Sequence, residues 1–335
     1  MRQVTIAGSG GLSNLTLGEA PDAAAPGPGE IRVRIAASSL NYHDLRVAMT
    51  EGATAPGRIP LADGAGTVDA VCEGVTEFAA GDSVVSGFFP LWLSGDALPS
   101  SFATVPGDGV DGYARETVTM PATWFTHAPK GWSAAESATI TTAGLTAWRA
   151  LTVDGPLKAG ETVLALGTGG VSIYALQIAK AMGARVIVTS SSDEKLERAK
   201  SLGADHVINY RETPEWGEAV LDATDGRGAD HVIEVGGPGT LAQSIVGGKV
   251  GGHIALIGVL TGRSGDIPTG NLMRRQQRLQ GLIVGAREHQ QDFVRALDAT
   301  GIRPVIGDTF DLADLKAAFL HQKAGAHFGK IAITI

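Results

Sequence analysis

Unbroken apolar runs alternate with helically spaced apolar stripes through the middle of this chain, and that alternation predicts its architecture. Thr162–Leu166 is a short β-rich run of the kind buried on both faces of a parallel sheet. Past a cluster of glycines, Val171, Ala175, Ile178, Ala179 and Met182 recur at helical spacing, and Gly183 closes the segment. Further buried runs follow at Arg185–Thr189, His206–Ile208, His231–Val235, His253–Ile257 and Leu279–Val284. Each but the last two is separated from the next by enough chain for a crossover helix, which predicts an α/β doubly wound domain on a six-stranded parallel sheet.

The N-terminal third reads differently. Ile31–Ala36, Gly66–Val71 and Thr117–Met120 are short β-type segments, and Gly81–Val85 is a turn feeding another strand. Asp22–Gly29, rich in Ala, Pro and Gly, reads as a surface loop. After Arg287 come a helical segment, Gln291–Thr300, and a tail ending in the strand-like Lys330–Ile335. That tail has no place in the parallel sheet and is expected to return to the first domain. The predicted division is 1–124 with 302–335 as a β-rich domain, and 125–301 as the parallel α/β domain.

A length of 335 residues makes two domains the default, and 46 glycines suit the many tight turns of an α/β enzyme. The net charge of −8, without any basic block, argues against a nucleic-acid partner. No apolar run reaches the ~18 residues of a membrane span, and the first residues lack the apolar core of a signal peptide. Cys72 is the only cysteine, which excludes an intramolecular disulfide and a multi-cysteine metal cluster. A cytoplasmic enzyme is expected.

The candidate chemistry begins at Gly167-Thr168-Gly169-Gly170-Val171-Ser172. A strand turning on glycines into a helix leaves backbone N–H groups and a positive helix end where a pyrophosphate can sit, which points to a nicotinamide cofactor. The third small position is Ser172 instead of glycine; serine can pack close to the sheet, and its hydroxyl can reach a phosphate oxygen.

Further segments occur in one order over nearly the whole chain: Ser39-Leu40-Asn41-Tyr42-His43-Asp44-Leu45, Leu61-Ala62-Asp63-Gly64-Ala65-Gly66-Thr67-Val68, Ala143-Gly144-Leu145-Thr146-Ala147-Trp148, Ser190-Ser191-Ser192-Asp193-Glu194-Lys195, Gly203–Tyr210 and His327-Phe328-Gly329-Lys330. On these the chain resembles the medium-chain dehydrogenase/reductase superfamily, in its quinone-oxidoreductase-like, zinc-independent alcohol-dehydrogenase-like branch. The resemblance implies a GroES-like catalytic domain made of both termini, a central Rossmann domain, a small electrophilic substrate reduced in the cleft between them, and a homodimer. In zinc-dependent members a Cys, a His-Glu pair and a second Cys surround the metal; here those positions hold Asn41, Ala62-Asp63 and Thr142, so no zinc is expected.

NAD-preferring sites carry an Asp or Glu at the end of the second strand; here that place is Ser190, followed by Ser191 and Ser192. With Lys195 and Tyr210 as phosphate donors, NADP(H) is favoured, although Asp193 is close and Lys195 also reads as a solvated helix charge. The expected cofactor contacts are Thr146, Gly167, Thr168, Gly169, Gly170, Val171, Ser190, Ser191, Lys195, Tyr210, Gly236 and Gly258. Glu234 is expected to line the cofactor site. Phe88, Phe89 and Trp92 either wall a substrate pocket or cover the core.

By resemblance Asn41 faces nicotinamide and substrate, where its amide can hold an acceptor oxygen; the bland alternative is a turn cap. Solvent, His43 or, at lower odds, Tyr42 is the candidate proton donor, with a structural hydrogen bond as the alternative for His43. The expected function is zinc-independent, NADPH-dependent reduction of quinones, enones or related carbonyl compounds. Two alternatives stand beside it: a metal-free alcohol dehydrogenase or ketone reductase, and a non-catalytic NADPH-binding protein.

Overall fold

The computed structural model describes residues 1–8 and 10–335. They form two compact units, Met1–Leu145 with Val284–Ile335, and Thr146–Ile283. No helix among the described residues is long and apolar enough to cross a membrane.

In the second unit the strands run, across the sheet, His206–Asn209, Arg185–Ser190, Thr162–Leu166, Ala229–Glu234, Gly248–Leu256 and Arg278–Gly281. All pair in parallel, as the apolar runs predict. Every residue of Thr162–Leu166 is buried, because helices must cover both faces of such a sheet. Helix Asp193–Ser201 begins with Asp193 and Glu194 and ends with Arg198 and Lys200, matching charge to the helix dipole. The last strand differs from expectation. It stops at Gly281, and the chain leaves it with Val284 at φ +46°. A short helix, Thr269–Arg274, precedes it where no helix is legible in the sequence.

The first unit is built on a sheet ordered Ile306–Asp311, Lys330–Thr334, Glu30–Ser39, Ala65–Val71, Ser83–Ser86 and Phe125–His127, with Thr117–Pro121 also pairing to Glu30–Ser39. The C-terminal strand therefore does return: Ala332 lies opposite Ser39 in an antiparallel pair. One core gathers Ile6, Leu45, Phe319, Ile331 and Ile333, and another Ile31, Val33, Val84, Tyr113 and Phe125. The unit boundaries fall inside those drawn from the sequence. Phe125–His127 pairs with Ser83–Ser86, and Gln290 of helix Arg287–Thr300 donates from Nε2 to Ser86 O (3.0 Å) and Thr126 Oγ1 (2.8 Å). These ties are long-range and leave no local signature.

Asp230 fastens the base of the parallel sheet. Its Oδ2 accepts from Thr162 N (2.9 Å) and Arg227 Nη1 (2.6 Å), and its Oδ1 accepts from Arg227 Nη2 (2.8 Å) and the Lys249 ammonium. Burial pushes its carboxyl up, but those cations and the backbone N–H outweigh it and bring the pKa down to about 2. A lowered carboxyl adds stability above its unfolded value, lost as pH falls through the folded one. Asp230→Asn should therefore cost about 2 kcal/mol at neutral pH. In urea unfolding that difference should shrink steadily as pH drops from 4 towards 2; a pH-independent difference would refute the assignment.

Candidate active-site residues

The glycine loop is open as a cradle. Gly167 sits at φ +75°, and a Cβ at Gly167 or Gly169 would meet nothing within 4 Å. Gly167 N donates to Thr189 O (2.9 Å), fixing the turn, while Gly169 caps helix Gly170–Ala181 without a side-chain capping hydrogen bond. Gly170 and Val171 form the first helical turn, and Thr168 is buried beneath the loop. Ser172 is a correction: its Oγ donates to Leu166 O (2.6 Å) in the interior, so the hydroxyl is spent on the strand and not on a phosphate.

At the end of the second strand the backbone joins two expected residues, with Tyr210 N donating to Ser190 O (3.1 Å). The Tyr210 ring is exposed and Ser190 is buried; Ser191 and Lys195 are half-buried. Ser192 N donates to Ser190 Oγ (3.3 Å), and Ser192 Oγ accepts from Lys195 N (3.4 Å). The nearby Asp193 is held by Asn209 Nδ2 (2.7 Å). Thr146 is buried at the start of the second unit.

Glu234 also departs from expectation. It is completely buried, its Oε1 accepting from Gly236 N (2.7 Å), Gly237 N (2.9 Å) and Thr240 Oγ1 (2.6 Å), with Ser244 Oγ on Oε2. It shapes the turn instead of lining a surface. Gly236 and Gly258 are glycine for close packing, since a Cβ would lie 2.2 Å from Thr240 Oγ1 and 1.9 Å from Val235 O. Both the glycine loop and this turn leave the carboxyl ends of the two strands where the sheet order reverses, the usual ligand position in open α/β sheets.

The first unit holds a buried polar cluster. Asn41 precedes helix Tyr42–Met49, and its N–H donates to Asp44 Oδ2 (2.9 Å). The other Asp44 oxygen accepts from Ala62 N (2.9 Å), bringing the neighbouring Asp63 close to the helix start. Asp63 is fully buried and accepts from Ser39 Oγ (2.5 Å) and Thr142 Oγ1 (2.6 Å). Thr142 comes from the π turn Ile140–Gly144, a local widening frequent at functional sites. Lys330, 3% exposed, reaches in from the C-terminal strand: Nζ is 2.6 Å from Asn41 Oδ1, 2.8 Å from Leu40 O and 3.5 Å from Asp63 Oδ2. All three are acceptors, so the nitrogen serves them as an ammonium with three hydrogens. Burial pushes the Asp63 carboxyl up and the Lys330 ammonium down, each opposed by the other's charge.

Asn41 is consequently not a free donor. Its Oδ1 is taken by Lys330, and its Nδ2 donates to Asp44 Oδ2 (3.1 Å) and Ser39 O (3.4 Å). The expected hydrogen bond from this amide to a substrate oxygen gives way to a positioning role. Tyr42 is exposed, and no hydrogen bond among the described residues ties it to the cluster. His43 does belong to it: Nε2 is 3.3 Å from Asp108 Oδ2, and Nδ1, buried without a hydrogen bond, is 3.9 Å from Asp44 Oδ1. Phe88 meets the ring edge-on at 5.3 Å. Phe88, Phe89 and Trp92 are all buried, and Phe89 and Trp92 meet Phe102 edge-on, so they cover the core.

Sequence reasoning missed Lys330, although one signal was available. A lysine opening the otherwise apolar strand Ile331-Ala332-Ile333 requires a buried partner. Asp108 carried no signal, lying in a loop remote in sequence from His43.

Residues 27–130 match the family model for the alcohol dehydrogenase GroES-like domain, and residues 170–300 that for zinc-binding dehydrogenase. The chain is 43% identical over 321 residues to a zinc-type alcohol dehydrogenase-like protein of Schizosaccharomyces pombe, covering 92% of this chain and 91% of that one. It is similar to the crystal structure of a putative alcohol dehydrogenase from Sinorhizobium meliloti, at 42% identity and TM-score 0.93, covering 100% of this chain and 98% of that one. A structure named as an NAD-dependent alcohol dehydrogenase matches at 33% identity and TM-score 0.90, with both chains covered in full.

The zinc in those names does not fit the donors present. Asn41, Ala62-Asp63 and Thr142 offer no thiolate or imidazole, the Thr142 hydroxyl donates to Asp63, and Lys330 already holds Asn41 Oδ1.

Burial disfavours the charged His43 ring, but the carboxylates of Asp108 and Asp44 prevail and raise its pKa from 6.5 to about 9. A raised histidine adds stability in full below its ordinary pKa and loses it as pH rises through the folded one. NMR titration of the His43 ring should give a midpoint near 9, and Asp108→Asn should lower it by roughly a unit or more. Unfolding free energies of the two proteins should converge as pH climbs past 9. An unmoved midpoint would remove Asp108 from the account.

Proposed function

Because the chain belongs to the medium-chain dehydrogenase/reductase superfamily, in its alcohol-dehydrogenase-like branch, we propose that it is a zinc-independent, NADP(H)-dependent reductase of quinones, enones or related carbonyl compounds. The observation that carries this reading is the Lys330–Asp63–Asn41 cluster, which closes the family's metal-ligand positions with an internal cation. A reductase without a Lewis acid favours acceptors that delocalise the incoming charge, as quinones and enones do, over a simple ketone whose alkoxide needs direct protonation.

A bound nicotinamide supplies the hydride. The residues that would hold it are the Gly167–Val171 loop and helix start, with Ser190, Ser191, Lys195 and Tyr210 about the adenosine ribose. Preference for the 2′-phosphate is supported by the serine at the end of the second strand and by Asn209, which engages the Asp193 carboxylate. A structural relative named as NAD-dependent makes these residues the ones to test. His43 supplies the proton. Its imidazolium is charged at neutral pH, half-buried, and matched to the basicity of an enolate or hydroquinone monoanion.

NADPH consumption measured against a quinone, an α,β-unsaturated ketone, a simple ketone and an aldehyde, with and without chelator, tests the reading. Turnover of quinone or enone unaffected by chelator is expected. Turnover confined to ketone or aldehyde would assign a metal-free ketone reductase, and chelator-sensitive activity would overturn the reading. Tight NADPH binding without turnover on any acceptor would mark a non-catalytic binding protein. Ser190→Asp should lower the NADPH/NADH preference in kcat/KM at least tenfold, a change of about 1.4 kcal/mol. Lys195→Ala should raise KM for NADPH while leaving NADH little changed.

A further inference from the structure

We infer that the outer face of the Phe88–Asp108 loop is a subsite for an apolar substituent, so that the acceptor this protein takes is an enone or quinone carrying an alkyl or aryl tail. The inference rests on the proposed reduction with His43 as proton donor, and it names the part of the substrate which that reading leaves open.

The loop begins and ends on His43. Phe88 meets the imidazole edge-on at 5.3 Å, and Asp108 Oδ2 lies 3.3 Å from its Nε2. Between these two residues the chain builds two layers. The inner one is aromatic and buried, and ring contacts lead outward from Phe88 to Phe89 (4.8 Å) and from Phe89 to Phe102 (4.9 Å). The outer layer is Leu91, Leu93, Leu98 and Phe102, which are 43% to 63% exposed. Single exposed apolar side chains are ordinary, but four on one short loop form a patch that calls for an occupant.

This surface is held in place before anything binds. Trp92 O accepts from Arg287 N (2.9 Å), Leu93 O accepts from Glu288 N (2.9 Å), and Trp92 Nε1 donates to Gly95 O (2.9 Å). An anchored apolar face costs little further ordering when a tail settles on it.

Size and charge say what covers it. Four half-exposed side chains present a few hundred Å², well short of the ~800 Å² that each partner gives to a stable protein interface. That area is ample for a chain of about five carbons. Between Ser83 and Gly107 the only charged residue is Asp96, so the loop offers no cation to an anionic ligand, and an uncharged tail is the matching occupant. The reacting end of the acceptor then stays at His43, the polar group, while the tail lies along the loop that starts and finishes there.

NADPH kinetics with alkyl vinyl ketones of rising length tests the inference. In the wild-type protein kcat/KM should rise roughly tenfold or more from methyl vinyl ketone to pentyl vinyl ketone, because each buried methylene contributes about threefold. Leu98→Ser and Phe102→Ser should each cut that ratio by about fivefold. Leu320→Ser, at an exposed leucine of helix Leu315–Ala324, should leave the ratio as in wild type. Taking the ratio cancels any general loss of activity. A wild-type ratio near one, or a ratio that neither serine variant in the loop moves, overturns the inference and leaves the reductase reading intact. Saturation-transfer NMR of ethyl pentyl ketone with the NADP⁺-loaded protein reads the subsite without turnover. Transfer to the terminal methyl of the pentyl chain is expected, and its loss in Phe102→Ser; no transfer in the wild-type protein overturns the inference. Transfer without turnover of any enone or quinone defeats the reductase reading alone. A dimer that Leu98→Ser dissociates in sedimentation velocity would assign the patch to a second copy of this chain and also overturn it.

Discussion

Two opposite charges buried in a protein interior must face each other or be given up, and Lys330 and Asp63 are both almost wholly shielded from solvent. That requirement organises the first unit. Asp63 draws in the hydroxyls of Ser39 and Thr142, from a strand and a π turn far apart in sequence. Lys330 draws in the carbonyl of Leu40 and the carboxamide of Asn41, just before the helix that carries His43. With the pair in place each buried charge faces its opposite. With either partner removed, a charge would remain with nothing to balance it.

The second unit solves a different problem with similar means. Its sheet needs sharp turns at the carboxyl ends of adjoining strands, and those turns expose backbone N–H groups. In one of them Glu234 collects two such groups and two hydroxyls in the interior. In the other, the glycine loop, Gly169 caps the helix start without a side-chain hydrogen bond. One turn is closed upon itself and its neighbour is left open, and the open one is suited to an anionic group.

Legibility in the sequence followed the range of the forces involved. The six parallel strands were readable because burial on both faces writes itself as unbroken apolar runs, and their edges moved by only a few residues. The return of the C-terminal strand was readable from its lack of a place elsewhere. Asn41 was located but misassigned, since one of its decisive partners lies 289 residues away and leaves no mark on local spacing. Ser172 was misassigned for a nearer reason: a hydroxyl at a tight helix–strand contact finds the strand carbonyl before it can reach outward. Short and interrupted by a neighbouring helix, the last parallel strand showed the weakest pattern. The unit boundaries depended on Gln290 reaching Ser86 and Thr126, contacts that exist only after folding.

The placement of Lys330 on the final strand also imposes an order of assembly. As the chain leaves the ribosome, Asn41 emerges 289 residues ahead of the counter-charge that it and Asp63 share. The Thr146–Ile283 unit is continuous in sequence and can complete its sheet before that moment, whereas the N-terminal segment cannot close around its own carboxylate. The nascent first unit must therefore keep Asp63 in contact with water until Lys330 has been made. A chain cut short before Lys330 would thus lack more than an edge strand: it would be left with a charge its interior cannot accept.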